Sequence, residues 1–141
     1  MIVVDASVAV KLLLPEDGAE AARDLLAGSE PLLVPSVAGV EVPGAVLRKL
    51  RAGLLDEAEA KECIAIWNDL LREGVRVIPD LDLLDDAVRI ARMCSHPLTD
   101  CLYVAAAVKM GAALVTADAS LRSRCKRAHK RIALLGAAVP H

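Results

Sequence analysis

Five short apolar runs alternate along this chain with longer segments of helical periodicity, and that alternation narrows the fold more than any other feature. Ile2–Val4, Leu32–Val34, Val75–Ile78, Ala113–Thr116 and Ile132–Leu135 are bounded by proline, glycine or acidic residues and read as short strands. Between them, Asp56–Glu73 places Ala60, Cys63, Ile64, Trp67, Leu70 and Leu71 on one helical face, with Gly74 as a stop. Asp82–Cys94 does the same with Leu84, Ala87, Val88, Ala91 and Cys94. Thr99 is suited to N-cap a helix that runs through Met110 and is closed by Gly111. That helix is apolar nearly all round and belongs in the centre. Strands that alternate with helices imply an α/β fold, a parallel sheet covered on both faces.

At 141 residues the expectation is a single domain over 1–141, large enough to bury roughly 70% of its unfolded surface. With 55% hydrophobic and 26% charged residues, disorder is excluded. Trp67 and Tyr103 are the only large aromatics, too few for a base-stacking platform. A net charge of −2 gives no global attraction for nucleic acid, so such binding needs a local basic patch or a metal. Cys63, Cys94, Cys101 and Cys125 have no C-x-x-C spacing and read as small core residues in a reducing compartment. The apolar stretch Ile2–Leu14 carries Asp5 and Lys11, lacks a basic leader, and falls short of the ~20 residues that span a bilayer. No membrane role is expected, and the cytoplasm is the expected location.

Ligands of open parallel sheets bind beyond the carboxyl ends of the strands. Asp5 and Asp118 stand just after the first and fourth predicted strands, Asp100 begins a helix, and Glu41 lies in a helix after the second strand. Two carboxylates ~4 Å apart repel by ~4 kcal/mol at an effective dielectric near 20. Four gathered at one edge call for a divalent cation, and hard oxygen ligands suit Mg²⁺ or Mn²⁺ rather than zinc. Singly, each acid has a plainer reading. Asp5 and Asp118 suit helix N-caps, Asp100 a first-turn acid, and Glu41 a surface helix position. Ser7 and Thr116, each two residues from an aspartate, suit either a metal water or phosphate, or cap hydrogen bonding.

Four segments carry a resemblance. Val4-Asp5-Ala6-Ser7-Val8-Ala9-Val10-Lys11, then Pro35 with Glu41-Val42, then Leu98-Thr99-Asp100-Cys101-Leu102-Tyr103-Val104-Ala105, then Leu114-Val115-Thr116-Ala117-Asp118, closely resemble PIN domains, above all VapC-type toxins of toxin–antitoxin pairs. The match covers almost the whole chain in order. It implies a three-layer, Rossmann-like fold, a Mg²⁺- or Mn²⁺-dependent endoribonuclease acting on RNA, and inhibition by a cognate antitoxin. Asp5, Glu41, Asp100 and Asp118 fall on the family's acidic, metal-holding positions. The chain departs from the pattern at Gly44, where relatives often carry Asn, at Pro43 within the glutamate's helix, and near Leu13, which is often aromatic.

Arg122, Arg124, Lys126, Arg127, Lys130 and Arg131 follow Asp118 on the outer face of a helix whose inner face is Leu121, Cys125, Ala128 and Ile132. Arg122 there, and Arg48 beside Lys49 and Arg51, are candidate RNA contacts. Asp80, Asp82, Asp85 and Asp86 read as helix-start and solvated residues, and His96, His129 and His141 show no ligand spacing. Val8–Leu14, apolar on nearly every side, points to a homodimer or to full burial. Two other functions compete. A phospho-receiver needs an acidic pair after the first strand and a lysine after the last, and neither is present. A catalytically silent PIN domain that only binds a partner is kept open by Pro43 and Gly44.

Overall fold

The computed structural model describes residues 1–141. Five parallel strands form one sheet in the order β3-β2-β1-β4-β5. They are β1 (Ile2–Val4), β2 (Leu32–Pro35), β3 (Arg76–Ile78), β4 (Ala113–Thr116) and β5 (Ile132–Leu134). β1 is central, with Val3 opposite Leu33 on one side and Leu114 on the other. Every residue of β1, β2 and β4 is buried, which explains their lack of polar alternation. Edge strand β3 buries only Ile78.

Helices cover the sheet in three layers. α1 (Ala6–Leu13), α2 (Ala19–Ala27), α3 (Ala38–Arg51) and α4 (Glu57–Asp69) pack with one another. α5 (Leu84–Cys94) packs on α6 (Leu98–Met110), which lies across β1, β2 and β4; α7 (Ala119–Cys125) packs on β4 and β5. α6 is buried continuously from Cys101 to Ala107, as its all-round apolar sequence requires. Gly111 closes it at φ 59°, a left-handed conformation. α4 starts in a full capping box between Asp56 and Glu59. No helix is long and apolar enough to cross a membrane.

Several elements differ from the expectations. α4 ends at Asp69, and a wider turn over Leu70–Gly74 carries the chain into β3, its last amide bonding back from Val75 to the Leu70 carbonyl at 2.9 Å. Thr99 does not cap α6: Pro97 occupies the N-cap position and Thr99 is exposed within the first turn. α5 buries Ala87, Ile90 and Cys94, continuing a line from Leu83, while Leu84 and Val88 face outward. Two apolar stripes share Ala87 and Cys94 on this helix, and packing on α6 buries the one completed by Leu83 and Ile90 rather than by Leu84 and Val88. α7 stops at Cys125, and Ile132 belongs to β5 rather than to a basic helix. The apolar excess of α1 is absorbed within the chain, where Val8, Ala9, Val10 and Leu14 are buried and Leu12 and Leu13 pack on the core. Within that segment only Lys11, Leu12 and Leu13 remain partly accessible.

Candidate active site at the carboxyl edge of the sheet

β1 and β4 are neighbours and parallel, so the residues that follow them emerge together. Asp5 leaves β1 as the N-cap of α1, its Oδ1 accepting from the Val8 amide at 3.1 Å. Ser7 donates its hydroxyl to the same oxygen, and Thr116, at the end of β4, donates to Oδ2. Asp5 and Thr116 are both buried. Burial pushes the Asp5 carboxyl above its ordinary value; the Ser7, Thr116 and Val8 donors oppose that rise, and the negative charge of Asp100 adds to it. Ser7 and Thr116 thus hold Asp5, and each also takes an amide from the β4–α7 turn. The Ala117 amide donates to Ser7 Oγ at 3.0 Å and the Asp118 amide to Thr116 Oγ1 at 2.9 Å.

Asp118 is the N-cap of α7, accepting from the amides of Ser120 at 2.8 Å and Leu121 at 3.3 Å. Capping and site membership therefore coincide at Asp5 and Asp118. The cap bonds fix each carboxylate at the mouth of a helix, where the N-terminal dipole tolerates its charge. Asp100 lies in the first turn of α6. Ligand atoms of Asp100, Asp118 and His96 all fall within 4.8 Å of one another, and His96 Nε2 lies 2.8 Å from Asp100 Oδ2. The presence of a histidine corrects the expectation from sequence, which gave His96 no place.

Glu41 completes the edge from the first turn of α3, half-buried, accepting from the Tyr103 hydroxyl at 2.7 Å. Burial raises its pKa, the Tyr103 bond and Arg48 pull it down, and the charges of Asp100 and Asp80 push it up. The negative charge of Asp100 thus acts on both Asp5 and Glu41. Burial and the neighbouring carboxylates drive the Tyr103 hydroxyl far up, so it is a permanent donor. α3 continues through Pro43, and the Glu41 carboxylate keeps its partner despite it. The start of α3 lacks a cap of its own. Asp80 supplies one from across the sheet edge: its Oδ1 accepts from the Val37 amide at 3.0 Å, while its own amide donates to Ser36 Oγ at 2.9 Å. Asp80 is therefore a structural clip rather than a solvated residue.

A cavity of about 340 Å³ opens beside these acids, lined by Ser7, Lys11, Glu41, Arg48 and Ala117 among others. Arg48 extends over Gly44, where an added Cβ would stand 3.7 Å from Nη1. Lys11 is drawn toward Glu16 at 3.3 Å and the Asp17 carbonyl at 2.7 Å. Of the downstream arginines, Arg122, Arg124 and Arg131 all donate to backbone carbonyls, those of Ile132, Ser95, and Gly111 and Pro140 respectively. They stitch α7, the α5–α6 turn and the chain end together more than they form a free basic face. Cys94, Cys101 and Cys125 are buried, and burial pushes the Cys101 thiol up to about 11, as befits core residues.

Of the four acids, Asp100 and Asp118 share a cluster of ligand atoms with His96, and Asp5 and Glu41 lie outside it but feel the charge of Asp100. Carboxylate oxygens are the ligand type that Mg²⁺ and Mn²⁺ take. The sequence exposed the four acids because each follows a strand or opens a helix. It hid Tyr103, whose role depends on a contact across the fold, and His96, which meets Asp100 across a turn that interrupts helical spacing.

Residues 2–127 match the PIN domain family. Ribonuclease VapC3 of Pyrobaculum aerophilum is 31% identical over 124 residues, which cover 87% of this chain and 93% of that protein. Among solved structures, PAE2754 from Pyrobaculum aerophilum superposes with a TM-score of 0.69 at 26% identity, over 89% of this chain and 79% of that one. VapC20 of Mycobacterium tuberculosis, a sarcin-ricin loop cleaving toxin, shares the fold with a TM-score of 0.66 at 21% identity, over 87% of this chain and 94% of its own. The matched stretch runs from β1 past the end of α7 and contains all four acids, and the chain belongs to the PIN-domain family, with VapC-type proteins among its relatives.

Proposed function

We propose that this protein is a Mg²⁺- or Mn²⁺-dependent endoribonuclease, the toxin of a toxin–antitoxin pair. The observation that carries this reading is the junction of Asp100 with Asp118, beside a buried Asp5 and a tethered Glu41. Such a gathering of acids is stable with a cation between them and costly without one. The 31% identity to a ribonuclease of the VapC group supplies the substrate class.

Asp5, Asp100, Asp118 and Glu41 would hold the ion. Bound there, it would acidify water and offset the negative charge that grows on a phosphate in hydrolysis. The chain's own residues do the rest. Ser7 and Thr116 keep the Asp5 carboxylate oriented, and Tyr103 keeps Glu41 turned toward the cavity. Arg48, at the cavity wall, would hold a backbone phosphate on one side of the cut, and Arg122, whose Nε donates to the Ile132 carbonyl, is a second candidate on the α7 side. A cognate antitoxin is the partner we propose to hold the enzyme inactive, and a homodimer is the proposed assembly. The retained hydrogen bond of Glu41 despite Pro43 and Gly44 favours the enzyme over a silent binding domain, and the cleavage assay below decides between them.

Purified protein freed of any partner should cut RNA internally when given Mg²⁺ or Mn²⁺, leaving 5′-phosphate and 3′-hydroxyl ends. Asp100→Ala should abolish cleavage with the fold retained. Cutting that persists in excess EDTA, or that leaves 2′,3′-cyclic phosphates, would refute the mechanism. A monomer at tens of micromolar in sedimentation would refute the dimer.

A further inference from the structure

His96 lies in the three-residue connection between α5 and α6, yet its position is tightly determined. Ser95 takes a left-handed conformation at φ 50°, uncommon for a residue other than glycine, and Pro97 follows with φ −54°. The His96 amide donates to the Ala91 carbonyl at 3.2 Å, and the Cys101 amide to the Pro97 carbonyl at 3.2 Å. Arg124 reaches from α7 to the Ser95 carbonyl at 3.1 Å. Three helices thus anchor the turn, and the imidazole it carries has a side-chain exposure of only 6%. A polar ring buried to that degree needs a partner, and its one hydrogen bond goes to Asp100 Oδ2 at 2.8 Å.

We propose that His96 is a positioning residue that aims Asp100 into the metal site, a role that rests on the metal-dependent reading above. Asp100 is about one-third exposed and sits among the like charges of Asp118, Asp5 and Glu41. Left alone, its carboxylate lowers that repulsion by turning toward water. The His96 N–H on Oδ2 opposes the turn and leaves Oδ1 for a cation. Carboxylates that hold metals are themselves hydrogen-bonded by outer groups, and loss of such a group weakens metal binding by about 10–100-fold. A direct ligand role is the rival reading: Nε2 is committed to Asp100, and Nδ1, which makes no hydrogen bond, is the nitrogen left for an ion. The spectroscopic test below separates the two roles. His96 and Asp100 stand four residues apart on either side of Pro97, so the contact itself is local while Arg124 of α7 helps to hold the turn that makes it.

The test is Mn²⁺ titration of the full chain by calorimetry, with wild type, His96→Ala and His96→Gln, and with circular dichroism to verify the fold. Wild type should bind Mn²⁺. His96→Ala should bind about 10–100-fold more weakly. His96→Gln, whose amide can donate from a similar distance, should recover most of the affinity. Pulsed electron paramagnetic resonance of the Mn²⁺-bound wild type should show no directly coordinated nitrogen. Equal affinity in wild type and His96→Ala overturns the proposal while leaving the metal-dependent function standing. So does a coordinated nitrogen signal, or a glutamine variant as weak as the alanine one. Failure of wild type to bind Mn²⁺ overturns both. If His96→Ala does not fold, the glutamine variant and the wild-type spectrum decide the matter.

Discussion

Removal of one oxygen atom, in Tyr103→Phe, tests how the site holds Glu41. Tyr103 is 1% exposed and its ring fills the core, so phenylalanine keeps the packing and loses only the hydroxyl that donates to Glu41 Oε1 at 2.7 Å. A hydrogen bond to a charged group contributes ~1.5–3 kcal/mol, and because Glu41 is half-buried and can recover water, the lower end applies, ~1.5 kcal/mol. With an unfolding entropy of about 2 cal/mol/K per residue over 141 residues, that loss lowers the melting temperature by ~5 °C. The hydroxyl favours ionised Glu41, so the loss should be full at neutral pH and shrink on acidification. The shrinkage should begin above the ordinary glutamate value of 4.5, because burial raises the folded-state pKa. Melts monitored by circular dichroism at several pH values, with Glu41→Gln and the double variant to complete a cycle, give the coupling directly. Equal melting of Tyr103→Phe and wild type at pH 7, or a loss that does not change with pH, would refute the account.

The pH dependence of the metal-free protein is a second expectation. Asp5 and Glu41 both have folded-state pKa values raised by burial, so the native state holds protons that the unfolded chain releases. Their contribution to stability is therefore greatest in acid and lost as pH rises through the raised values, and millimolar Mn²⁺ or Mg²⁺ should flatten that decline and raise the melting temperature at pH 7. A metal-free melt that climbs from pH 5 to 7 would contradict this. Thr116→Val keeps the shape of a fully buried side chain but strips Asp5 Oδ2 of its donor and the Asp118 amide of its acceptor. It should cost about 2 kcal/mol in denaturant unfolding, and Thr116→Ser should restore most of it. Gly111→Ala meets open space yet must adopt φ 59°, so a loss of ~1 kcal/mol in the same assay is expected from the backbone alone. No change there would mean that the α6 cap relaxes.

The strands were legible because burial on both faces leaves no room for polar residues. Ile2–Val4 and Ala113–Thr116 occur where their composition places them, and Ile132–Leu134 falls one residue short of expectation. The ends of helices announced by an N-cap acid or a terminal glycine, at Asp5, Asp56, Asp118 and Gly111, were legible for the same local reason: the backbone groups there need partners or a special conformation close in sequence. So were the acids at the sheet edge, since a carboxylate next to an apolar strand is costly to bury unless it caps a helix or meets a cation. Choices among locally equivalent options were not legible. α5 carries two adjacent apolar stripes, and only contact with α6 decides which is buried. Tyr103 looks like core filler until the fold brings it to a glutamate 62 residues away, and Asp80 looks solvated until β3 runs beside β2 and delivers it to the start of α3. His96 is only four residues from Asp100, but proline and a left-handed serine interrupt the helical path there, and helix spacing does not apply across such a turn. Periodicity and caps are properties of the chain itself. The partner of a buried polar atom is set by whichever strand or helix the sheet order places beside it.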